Sequence, residues 1–167
     1  VRVLLHPGVG ALWKRWPAGR FAAVGEKLRE RGYEVALIEG PADRDAVERC
    51  QAAAQSPFPV LRDRSLPELA HALRSAALFV GNDSGVTHLA AAAGVPTLAL
   101  FGPTDPDTWA PRGNQVRVLR RCDARALEPR QIRVCAGDCL ERITVEEVLA
   151  AAEAMLAVDN SVDNRDE

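Results

Sequence analysis

Several things are scarce or missing in this chain, and each narrows what it can be. The longest apolar runs are strand-sized, so no segment reads as a membrane-spanning helix. Charge of one sign is not in excess. Lys and Arg number 21 against 23 Asp and Glu, a net of −2, so no basic footprint argues for nucleic acid. Val1 already stands inside a strand-like run, with neither a charged n-region nor a signal peptide before it. Such an opening reads as a domain cut from a larger protein. Cysteine is limited to Cys50, Cys122, Cys135 and Cys139. Cys50 falls in a helical stretch and reads as a small apolar core residue. The other three share an irregular segment that contains no histidine. Zinc would need a fourth ligand and tighter paired spacing, so reduced structural thiols are expected there and no metal. Spacing supports no paired carboxylates, no Ser/His/Asp arrangement and no metal cluster.

What remains is an ordinary globular composition: 167 residues, 47% apolar and 26% charged, enough for one domain with one sizeable core. Short apolar runs alternate with helical patterns along its length. Strands are expected at Val1–Leu5, Glu34–Ile38, Pro59–Leu61, Ala76–Val80, Pro96–Leu100 and Gln115–Leu119, the last of unassigned direction. Helices are expected from Pro17 to about Arg31, from Asp43 to about Ala54, from Ser65 through Arg74, from Ser84–Gly85 to Gly94, and from Thr144 through Leu156. Ser65 with Glu68 and Thr144 with Glu147 have capping-box spacing, while Gly32 and Gly94 stop their helices. Asp159–Glu167 is polar and expected to fray. This pattern predicts an α/β fold, a doubly wound, mostly parallel, Rossmann-like sheet. Right-handed crossovers gather the loops His6–Trp16, Glu39–Asp43, Arg62–Ser65, Gly81–Ser84 and Phe101–Asp107 at the carboxyl edge, where such sheets bind ligands.

The most informative stretch is Leu78–Asp107, LFVGNDSGVTHLAAAAGVPTLALFGPTDPD. A buried strand breaks at Gly81-Asn82-Asp83, and Ser84 and Gly85 open a helix. Its unpaired N–H groups and dipole favour an anion, and the small residues would let a phosphate approach the backbone. Spacing alone allows equally that Asp83 or Ser84 merely caps the helix. In the first edge loop Lys14 lies between Trp13 and Trp16, where an ammonium could reach a diphosphate at that helix start.

The string GNDSGVTHLAAAAGVPTLALFGPTDPDTWAP resembles the donor-site segment of the heptosyltransferases, glycosyltransferase family 9. Gly81, Asp83, Ser84, Gly85, His88, Leu89, Gly94, Pro96, Phe101, Gly102, Pro103 and Thr104 carry the match. HPG…WKRWP is similar to the same family's H-P-G-x(n)-K-x-W-P, matched by Lys14, Trp16 and Pro17 but not Trp13. The resemblance implies that Lys14 binds the donor diphosphate and stabilises the leaving group. It implies further that Ser84, Gly85, Val86, Thr87 and His88 line the phosphate site, with His88 not the base, and that Asp83 contacts the sugar. Family members with an acidic residue shortly after the glycine that follows strand two use it on the ribose. Here Gly40 is followed by Pro41, Ala42 and Asp43, and Asp43 is the candidate. Arg62–Leu66 should lie beside the base.

Such enzymes have the two-domain GT-B architecture, and this chain resembles the C-terminal donor domain alone. Residues 1–158 would form that domain and 159–167 a polar tail, with the N-terminal acceptor domain absent. The implied reaction is inverting transfer of heptose from ADP-heptose to the lipopolysaccharide core, without cofactor or metal. The general base, an aspartate in the family, would reside in the absent half, leaving the isolated chain inactive. The full enzyme would work in the cytoplasm at the inner face of the inner membrane, with peripheral attachment open to it. Two other readings stand beside this one: a GT-B-like nucleotide-sugar epimerase domain, and a nucleotide-sugar binding domain without catalysis.

Overall fold

The structure, a computed structural model, describes residues 1–122 and 138–160. Six strands form one sheet: β1 (Arg2–His6), β2 (Glu34–Glu39), β3 (Val60–Arg62), β4 (Leu78–Asn82), β5 (Thr97–Phe101) and β6 (Val116–Arg120). Their order is β3-β2-β1-β4-β5-β6, and every pairing is parallel, which settles the direction of β6. The helices are α1 (Ala18–Glu30), α2 (Arg44–Ala53), α3 (Leu66–Arg74), α4 (Gly85–Ala92), α5 (Pro106–Trp109), α6 (Asp138–Glu141) and α7 (Val145–Asn160). α5, α6 and a 3-10 turn at Leu12–Lys14 are too short for apolar periodicity to reveal.

Strand alternation sorts the core onto the two sheet faces. Val3, Leu5, Leu37, Val80 and Leu98 pack with Phe21, Leu28, Val47, Cys50, Val148 and Leu156, residues of α1, α2 and α7. Leu4, Ile38 and Phe79 pack on the other face with Leu69 and Leu73 of α3 and Ala90 of α4. Each fully buried side chain of this size contributes about 1.5–3 kcal/mol.

The boundaries follow local chemistry. Gly32 and Gly94 take φ of +87° and +81°, the left-handed conformation that ends α1 and α4. The Glu68 carboxylate accepts the Ser65 N–H at 2.9 Å, and the Glu147 carboxylate accepts the Thr144 N–H at 2.9 Å, so both capping boxes form. One expectation is corrected: α7 continues past Leu156 to Asn160, so Asp159 and Asn160 are helical. No Gly or Pro follows Leu156 to stop the helix, and Leu156 anchors its last turns in the core. Residues 161–167 and Cys135 lie outside the described residues. No helix among the described residues is long and apolar enough to cross a membrane.

Candidate functional site

The sheet order reverses between β1 and β4, which are hydrogen-bonded neighbours with His6 paired to Gly81. Loops leaving these two strands diverge to opposite faces and open a crevice at the carboxyl edge. Asn82, the last residue of β4, pins the β1 loop at both ends. Its Oδ1 accepts the Trp16 N–H at 2.9 Å, and its Nδ2 donates to the Pro7 carbonyl at 3.0 Å, both in the interior. Trp16 is itself fully buried, packed edge-on to Phe21 at 5.0 Å and donating its indole N–H to the Ile143 carbonyl at 2.9 Å. Lys14 therefore stands two residues before a fixed point, and the 3-10 turn aims it across the crevice.

Its Nζ donates to Asp83 Oδ2 at 2.6 Å, and the ammonium lies 5.1 Å from the centre of the Trp13 ring. The same carboxylate oxygen accepts the Thr104 hydroxyl at 2.9 Å. The Asp83 side chain is 6% exposed and that of Lys14 23%, so the lysine is the partner that still faces the crevice. An ion pair this far out of water interacts more strongly than a surface pair, and truncating one partner strands the other.

At the start of α4 the cap is Ser84. Its backbone is extended, and its Oγ accepts the Thr87 N–H at 3.4 Å. Asp83, engaged by Lys14 and Thr104, is therefore not the cap, which closes one of the two alternatives left open for it. The His88 N–H bonds to the Ser84 carbonyl at 3.3 Å. Helix geometry then leaves the N–H groups of Gly85 and Val86 without an intrahelical acceptor. Gly85 is exposed, and a Cβ placed on it would meet nothing within 4 Å. His88 is exposed one turn further on.

Beyond this helix start the crevice opens into a cleft of about 630 Å³. Leu66 and Leu69 of α3 and Val86 and Leu89 of α4 give it an apolar wall; His6 and Asp43 line the remainder with Ser84 and His88. Asp43 is 7% exposed, and its Oδ2 accepts from His6 Nε2 at 2.9 Å and from the Gly40 N–H at 2.8 Å. Burial pushes its pKa up, but the His6 hydrogen bond, the Gly40 N–H and the Arg15 charge outweigh burial. The net result is a carboxyl below its ordinary value. A second depression, between β6 and the end of α7, lies at the opposite edge, away from all of these groups.

The structure thus brings Ser84, Gly85, Val86, His88 and Asp43 to one cleft, with Asp83 next to Ser84 in the chain and paired to Lys14, while Thr87 is buried and takes part through its backbone and cap contacts. Sequence reasoning missed Asn82 and His6 as structural members of the site. It also supported no Ser/His/Asp arrangement, whereas Ser84, His6 and Asp43 do line up, at sequence separations of 78 and 37 that no spacing rule detects. Cys50 is buried and its thiol is pushed up to about 12, first by burial and then by the Glu26 charge, so it is an inert packing residue. Cys139 is buried and Cys122 partly exposed. Among the described residues no group of three or more His, Cys, Asp or Glu could hold a metal ion.

Residues 2–139 match the model of glycosyltransferase family 9 (heptosyltransferase). Lipopolysaccharide heptosyltransferase 3 of Escherichia coli is 34% identical over 159 residues, covering 92% of this chain and 46% of that protein. Among solved structures, E. coli ADP-heptose LPS heptosyltransferase II superposes with a TM-score of 0.81 at 27% identity, covering 95% of this chain and 47% of that one. A family 9 glycosyl transferase from Veillonella parvula gives a TM-score of 0.85 at 31% identity, covering 94% and 46%. The chain spans about half the length of the curated relatives it matches.

Proposed function

The chain belongs to glycosyltransferase family 9 (heptosyltransferase), and on that premise we propose that it is the donor-binding half of an inverting transferase that uses ADP-heptose. The observation that carries this reading is the convergence, at the β1/β4 switch point, of a fixed lysine and an open helix start. The diphosphate sits against the Gly85 and Val86 N–H groups, with Ser84, Thr87 and His88 around it. Lys14 supplies the positive charge. Asp83, buried behind Lys14, meets the sugar hydroxyls once the diphosphate draws Lys14 onto itself. The apolar wall of Leu66, Leu69, Val86 and Leu89 receives the base, and Asp43 lies on the ribose side.

In the transfer an acceptor hydroxyl of the lipopolysaccharide core forms a bond to the anomeric carbon as the bond to the diphosphate breaks. The electron pair leaves on the diphosphate, where Lys14 and the α4 N-terminus stabilise it. The proton of the attacking hydroxyl goes to a base outside these residues. The complete enzyme works in the cytoplasm, at the inner face of the inner membrane where the lipopolysaccharide core is built.

Titration calorimetry with ADP, ADP-heptose and UDP tests the reading. The adenine ligands are expected to bind saturably and more tightly than UDP. Lys14→Ala should weaken them by about tenfold to a hundredfold, the effect of one charge-assisted hydrogen bond. Equal, unsaturable responses to all three, unchanged in the variant, would sink it.

A further inference from the structure

Beside the Lys14–Asp83 pair runs a second polar line that the transfer chemistry does not use. Asp43 follows β2, His6 ends β1 and Ser84 caps α4, so three segments distant in sequence meet there. His6 is 1% exposed. Its Nε2 lies 2.9 Å from Asp43 Oδ2 and its Nδ1 lies 3.4 Å from Ser84 Oγ. An ionised carboxylate can only accept, so Nε2 carries a proton and donates it to Asp43. In the neutral ring Nδ1 is then an acceptor, and the hydrogen that reaches it comes from the Ser84 hydroxyl.

Thr87 Oγ1 lies 3.1 Å from Ser84 Oγ and could also accept its proton. But Thr87 already has a partner, donating its own hydroxyl to the Asn82 carbonyl at 2.5 Å. Losing the Ser84 proton costs Thr87 little. For Nδ1 the same loss would leave a buried lone pair facing another lone pair, the costlier failure. The Ser84 proton therefore goes to His6.

We propose that His6 is a positioning residue of the donor cleft: held by Asp43, it draws the Ser84 hydroxyl proton to itself and so fixes the cap of α4. The role in binding rests on the donor-cleft reading above. With its proton committed, Ser84 turns lone pairs toward the first turn of α4, where they accept the Thr87 N–H. The diphosphate is then received by the backbone N–H groups of Gly85 and Val86 and by Lys14, not by the serine hydroxyl. The same line ties the ribose side of the cleft to its phosphate side, because Asp43 also takes the Gly40 N–H of the β2 loop.

The test combines imidazole nitrogen resonances with ADP affinity, measured on the full 167-residue chain at mildly alkaline pH. The His6 ring is expected to carry its proton on Nε2. Ser84→Ala should move the Nδ1 resonance toward the unbonded pyridine-type position and leave Nε2 in place. Asp43→Ala should let the other tautomer appear. His6→Phe and Ser84→Ala should each weaken ADP roughly tenfold, the effect of one lost buried hydrogen bond. The double variant should lose no more than the worse single, because both break one line. A proton on Nδ1, an Nδ1 resonance indifferent to Ser84→Ala, or fully additive losses would overturn the proposal. Ser84→Ala leaves the ring in place, so the spectroscopic arm stands even if His6→Phe does not fold. Failure of the parent chain to bind ADP would count against the donor-cleft reading, while the ring resonances would still decide the role of His6.

Discussion

A Cβ built on Gly8 would stand 2.0 Å from Asp43 Oδ1, whereas one built on Gly85 would meet nothing within 4 Å. Both glycines lie at the carboxyl edge, Gly8 in the β1 loop and Gly85 as the first residue of α4, yet the first is there for packing and the second leaves space over the helix start. Gly8→Ala must push Asp43 off His6 and Gly40, or move the β1 loop. Overpacking of that kind costs about 1–3 kcal/mol, so its denaturation midpoint should fall. Gly85→Val should fold nearly as the parent does, since Gly85 has no positive φ and a first-turn substitution costs at most about 1 kcal/mol. Its branches would crowd the approach to the Gly85 and Val86 N–H groups, and ADP affinity should drop by about tenfold or more. Urea denaturation and calorimetry on the two variants separate the effects. Should Gly85→Val bind ADP like the parent, the anion site lies elsewhere.

At the scale of elements, the loop between β1 and α1 is held by the side chain of one residue from another strand. Asn82→Ala would leave the Trp16 N–H and the Pro7 carbonyl unpaired in the interior, each worth about 1–3 kcal/mol. The chain should lose about 2 kcal/mol or more of stability in denaturant, and ADP should bind less well because Lys14 is no longer aimed. A variant with the parent's midpoint and affinity would show that Trp16, buried on its own account, fixes the loop unaided. Here the reach of sequence reasoning is visible. The strands, the capping boxes at Ser65 and Thr144, and the helix-ending glycines are legible because each is written within a few neighbouring residues. The clamp by Asn82 is not, since it joins residues 66 and 75 positions away. Asp83 illustrates the same limit. A carboxylate beside a helix start reads as a cap, but Lys14, 69 residues away, takes it into an ion pair and leaves capping to Ser84.

For the whole molecule, the alternation of strands and helices sufficed for the parallel class, and the handedness of crossovers for the edge that carries the crevice. The strand order did the remainder by setting β1 beside β4, so that two motifs far apart in sequence face one crevice. On the proposed reading that crevice holds and stabilises a diphosphate, and neither of its carboxylates is free to act as a base. Asp83 is engaged by Lys14 and Thr104, and Asp43 by His6 and Gly40. Both are buried carboxylates whose charge is already committed, unsuited to taking a proton from an attacking hydroxyl. The relatives are about twice as long as this chain, and on the proposed reading the base and the acceptor site belong to the part of the enzyme outside it. The 167-residue chain should therefore bind ADP-heptose yet not turn it over. Mixed with ADP-heptose and a heptose-deficient lipopolysaccharide acceptor, it should release ADP no faster than the acceptor-free control. Acceptor-dependent release by the purified chain that Asp83→Asn abolished while nucleotide affinity held would make Asp83 the base and overturn the division of labour proposed here.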